Sequence, residues 1–107
     1  EAARRGSQAG QRGAVGRAVA SKEDLYEEGL ELAFDGQFEE AISRYQQALE
    51  IDPQYGDALH ALAMAHAELD QLDEAIAAAK RLCEVTPDDI LAHTSLATFY
   101  MRKGLVP

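Results

Sequence analysis

The sequence predicts an all-α chain, a solenoid of antiparallel helix pairs with two repeats plus one extra helix. Three observations predict it. Between Gly36 and Pro53 the apolar residues Phe38, Ala41, Ile42, Tyr45, Ala48 and Leu49 fall at intervals of three and one, which is one face of an amphipathic helix. Much of that pattern returns 34 positions later, where Leu72, Glu74, Ala75 and Ile76 stand for Phe38, Glu40, Ala41 and Ile42. Proline closes both copies, as Pro53 and Pro87. It cannot continue a helix, because its ring removes a backbone donor and clashes with the preceding turn. A fixed period of this length signals stacked supersecondary units.

Residues 1–21 read as a basic arm or linker rich in Gly, Ala and Arg. Residues 1–22 hold Arg4, Arg5, Arg12, Arg17 and Lys22 against Glu1, while the whole chain carries a net −9. The remaining residues are therefore strongly acidic. Such a body argues against nucleic acid as a partner, since phosphate binding needs cationic surface.

The helical elements follow in order. Ser21 is placed to cap a first helix over Lys22–Phe34, with Asp24 in the acidic position of a capping box. Asp35-Gly36 is a turn signal, and Gly36 suits the positive φ that such a turn requires. The second helix ends at Asp52-Pro53. The third, over Asp57–Leu69, is apolar nearly all round and alanine-rich, which predicts burial in the middle of a stack. Asp70-Gln71 turns the chain into the fourth, Leu72–Val85. Thr86-Pro87-Asp88-Asp89 ends that helix and starts the fifth, Asp89–Lys103, whose Arg102 and Lys103 suit a helix C-terminus.

The repeat resembles the tetratricopeptide repeat, a helix–turn–helix unit. Its small position in the first helix of each pair is held by Gly29, Ala63 and Ala97, and its large position one turn on by Leu32, His66 and Tyr100. The turn position falls on Gly36, Asp70 and Gly104, and the hydrophobe that opens the second helix on Phe38, Leu72 and Val106. The resemblance covers residues 22–107, as repeats 22–55 and 56–89 and a partial repeat 90–107. Glu28 departs from the family's leucine, and His66 from its usual aromatic.

This resemblance implies a protein–protein interaction module or scaffold that binds a peptide or helix on its concave face. By position, the partner-binding groove is expected to use Tyr26, Leu30, Phe34, His60, Met64, Glu68, Thr94 and Met101. Tyr26 and Leu30 replace the Lys and Asn with which one subclass grips a carboxylate terminus, so that clamp is not expected here. An acidic rim instead favours a basic or apolar protein or peptide.

Val106 falls where the second helix of repeat three should begin, so within residues 1–107 the fifth helix is expected to stand without its pair. Leu96, Ala97 and Tyr100 are then expected to form a self-association face, the alternative being homo-oligomerisation through the helix 89–103 and/or the N-terminal arm. The chain's own basic arm is a further candidate for the groove.

Catalysis is not expected. The sequence has no glycine-rich phosphate loop, nucleophile elbow or metal motif. His60 and His66 lie six positions apart on different helix faces, and Cys83 sits on an apolar face, where it reads as core filler. No cofactor and no metal are expected. No apolar run approaches the roughly 20 residues that span a bilayer, so no membrane association is expected. A single cysteine and the lack of a signal-peptide pattern favour the cytoplasm.

Overall fold

A computed structural model describes residues 20–104. Within them the chain forms five helices: α1 (Lys22–Phe34), α2 (Phe38–Ile51), α3 (Gly56–Glu68), α4 (Leu72–Val85) and α5 (Ile90–Lys103). The described residues contain no strand. Helix α3 starts one residue earlier than the sequence suggests and ends one earlier. Helix α5 starts one later, because Asp89 is its cap. Residues 1–19 of the basic arm and the Val106 position lie outside the described residues.

The 34-residue period is a period of backbone hydrogen bonding as well as of side chains. The Gln37 N–H donates to the Leu32 carbonyl, and the Gln71 N–H to the His66 carbonyl, both at 2.8 Å. The Tyr55 N–H reaches Asp52 O and the Asp89 N–H reaches Thr86 O, both at 3.1 Å. The turn that closes α1 puts Gly36 at φ +82°, and the equivalent turn after α3 puts Asp70 at φ +60°. Asp is one of the few side-chain-bearing residues that tolerate this left-handed region. The second turn is therefore built without glycine.

The end signals act as expected. Ser21 Oγ accepts the Asp24 N–H at 3.1 Å, while the Asp24 carboxylate accepts the Ser21 N–H at 3.2 Å. Each side chain thus satisfies a backbone donor at an end where helices leave donors unpaired. Asp89 caps α5 by accepting the Leu91 N–H at 2.9 Å.

Consecutive helices pack on each other, and α1 also meets α3. The core runs continuously through the stack, from Leu25 on α1 to Phe99 on α5. Tyr45 and Leu59 are its largest fully buried side chains. Ala41, Ala48, Ala58, Ala75 and Ala79 are completely buried, and their small size lets the helix backbones approach closely. Tyr45 of α2 packs where Gly29 of α1 has no side chain. A Cβ built on Gly29 would lie 2.3 Å from Tyr45 Cε1.

Polar struts span the stack. The Lys22 ammonium pairs with the Asp52 carboxylate and lies 4.8 Å from the Tyr55 ring centroid. The hydrogen bond from Lys22 holds the Asp52 carboxyl below its ordinary value, and the same bond raises the Lys22 ammonium. Arg102 of α5 donates to the Ala67 carbonyl at 3.3 Å, and Lys103 meets Asp73 at 2.8 Å.

Candidate groove between the first helices of the repeats

The groove is built by helical periodicity on two neighbouring helices. Tyr26, Leu30 and Phe34 recur every four residues on α1, and His60, Met64 and Glu68 do the same on α3. Residues four apart lie above one another on one helix face. Contact between α1 and α3 brings the two stripes side by side. They border a cavity of about 440 Å³. All six of these expected residues line it.

The cavity has more walls than the stripes supply. Ala33, Ala61 and Ala65 line it beside the large residues, and Phe38 and Tyr45 line it from α2. Those two aromatics belong to the α2 face that the sequence assigns to the core. Tyr45 serves both roles, since it is 1% exposed. Tyr55, which sequence reasoning does not place near the site, supports Tyr26 from outside. Their ring centroids are 5.7 Å apart in an edge arrangement, and Tyr26 and Tyr45 lie 6.1 Å apart. Only the fold brings Tyr55, 29 positions away in the chain, beside Tyr26.

Thr94 and Met101 on α5 do not line this cavity. Both are exposed, and the Thr98 hydroxyl donates to the Thr94 carbonyl at 2.9 Å. Of the expected self-association face, Leu96 and Tyr100 are half-buried and Ala97 is exposed.

The electrostatics of the groove are acidic. Burial, and after it the Asp57 carboxylate, pushes the Tyr26 phenol up. Tyr55 is raised by burial and then by Asp57 and Glu23. Tyr26 therefore stays a neutral hydroxyl at ordinary pH, with an apolar ring and one polar tip.

His66 and His93 find local partners. The His66 Nδ1 lies 2.8 Å from the Gln71 side-chain oxygen, and the His93 Nε2 lies 2.7 Å from the Pro87 carbonyl. Among the described residues no group of three or more His, Cys, Asp or Glu is arranged to hold a metal ion. The Cys83 thiol is pushed up by burial and then by Asp89 and Glu84, which disfavours the reactive thiolate. No helix of the described residues is long and apolar enough to cross a membrane.

Comparison with known proteins agrees with this architecture. A family model described as tetratricopeptide repeat matches residues 34–99. Two solved structures, both of the protein MamA, are 28% identical to the chain and superpose with a TM-score of 0.77. Each match covers 79% of this chain, and 50% and 46% respectively of the MamA chains. The chain thus spans about half the length of the solved proteins it matches. No curated protein gives a significant match.

Proposed function

The chain belongs to the tetratricopeptide-repeat family, whose model covers residues 34–99, and from that premise we propose that it binds a peptide or helix of a protein partner in the groove between α1 and α3. Proteins of this fold are in general non-catalytic interaction modules. One observation carries the finer reading. Phe34 and Met64, both large and apolar, are 88% and 42% exposed on the borders of one apolar cavity. Their burial by a partner removes apolar surface from water at about 25 cal/mol per Å². The acidic rim favours a basic or apolar partner and speeds its encounter.

A displayed library of 14-residue peptides, selected on the unmodified chain, tests this. The best binder should lose about tenfold or more in affinity to Met64→Glu, because a charge then faces an apolar anchor. Helicity should not change, since Met64 faces solvent in the free chain. Equal affinity for the variant, or a library that yields no binder, removes the groove from consideration.

A second reading, self-association through α5, is favoured by a different observation. Ile90, Leu91 and Met101 are 78%, 70% and 63% exposed on that one helix. Light scattering after size exclusion is expected to show an oligomer that Ala97→Glu dissociates. A monomer for the unmodified chain at every concentration overturns this reading.

A further inference from the structure

The groove has a charge pattern as well as an apolar floor, and the pattern follows a helical register. On α3 one stripe reads Asp57, His60, Met64, Glu68. It is acidic at both ends: Glu68 lines the cavity, and Asp57 stands just beyond the lining, close enough to act on the Tyr26 phenol. Asp57 and Glu68 are both exposed, and neither has an ion-pair partner among the described residues. That sets them apart from Asp52, Asp70 and Asp73, which answer Lys22, Arg102 and Lys103 within the fold. The two carboxylates stand eleven residues apart on one helix, about 16 Å at 1.5 Å per residue.

On α1 the parallel stripe of Tyr26, Leu30 and Phe34 has the same four-residue period. Two neighbouring stripes of that period form ridges and a valley, and a third helix of equal period seats its own side chains between them.

We propose that the groove holds an amphipathic helix of a protein partner whose two cationic residues, eleven positions apart, meet Asp57 and Glu68 and bracket apolar anchors seated on Tyr26, Leu30 and Met64. This rests on the groove reading above and names the partner class. Charge at both ends fixes the partner's register, while the apolar anchors supply affinity. Either direction of the partner helix satisfies the bracket, because both ends of the α3 stripe carry the same sign. An antiparallel partner is favoured, since it places its helix dipole opposite to those of α1 and α3.

The test uses two synthetic helical 14-residue peptides of identical composition, measured by fluorescence anisotropy against the full chain. One carries arginines at positions 2 and 13 with leucines at 6 and 9. The other carries the same leucines with both arginines at positions 2 and 3. The bracketed peptide is expected to bind at least about fivefold more tightly. It should lose about fivefold to Asp57→Asn and again to Glu68→Gln, and the advantage should shrink as salt is raised. Equal affinity of the two peptides overturns the bracket and leaves the groove reading standing. Failure of the bracketed peptide to bind also overturns the bracket, and the groove reading then rests on the library and Met64→Glu. An extended heptapeptide with terminal arginines that binds more tightly than the 14-residue helix overturns the helical register.

Discussion

Phe99→Ala should unfold α5 while leaving the rest of the stack in place. Phe99 is 2% exposed and, with Ala92, makes up the buried residues of α5. Truncating such a ring costs about 3–5 kcal/mol, from lost transfer energy and from the cavity left behind. The remaining ties of α5 are weaker. Arg102 and Lys103 make exposed ion pairs with Asp70 and Asp73, and pairs of that kind are worth at most about 1 kcal/mol each. The helix packs chiefly on α4, so its loss removes one nearest-neighbour interface of a linear stack. Hydrogen exchange should show rapid exchange across Ile90–Lys103, with protection of Leu25–Leu49 retained. A uniform loss of protection along the whole chain contradicts nearest-neighbour stacking.

Gly29→Ala should destabilise the chain by up to about 2 kcal/mol, although alanine is the better helix former. Propensity alone favours alanine by about 1 kcal/mol in a helix interior. Against it stands the Tyr45 ring, whose Cε1 and Cδ1 atoms would lie 2.3 and 2.7 Å from the new methyl. That ring is 1% exposed and closely flanked by Tyr26, so it has little room to move. Overpacking of this kind costs about 1–3 kcal/mol and is expected to exceed the propensity gain. The sign should reverse when the ring is absent. In a Tyr45→Leu background the same substitution should become neutral or stabilising, as read by urea denaturation of the four chains. A Gly29→Ala cost that persists unchanged beside Tyr45→Leu removes the close approach as its cause.

The groove and the core meet at Tyr45, so the two kinds of variant test different links. Met64→Glu touches a side chain that faces solvent and reports on recognition. Gly29→Ala touches the interface between α1 and α2 that positions Tyr26 and Leu30, and reports on the scaffold. A variant that impairs both folding and binding lies on the shared wall formed by Phe38 and Tyr45.

Local physics on its own determined the helices. Spacing of apolar residues located α1, α3, α4 and α5 within one residue and α2 within the stretch Gly36–Pro53, because a 3.6-residue period leaves a direct trace in the sequence. The capping box at Ser21 and the turn at Gly36 depend on residues close in the chain and were legible for the same reason. The family resemblance pointed to Tyr26, Leu30 and Phe34, and their four-residue spacing keeps them on one face of α1. The tertiary structure decided what lies opposite each face. It put Tyr45 over Gly29, Tyr55 beside Tyr26, and Phe38 in the cavity lining. It left Thr94 and Met101 outside that cavity, and it spent Arg102 on the Ala67 carbonyl. The physical reason is that a period states which way a side chain points from its own axis. How far the next axis lies, and what it brings, is set by the packing of alanines and aromatics between helices.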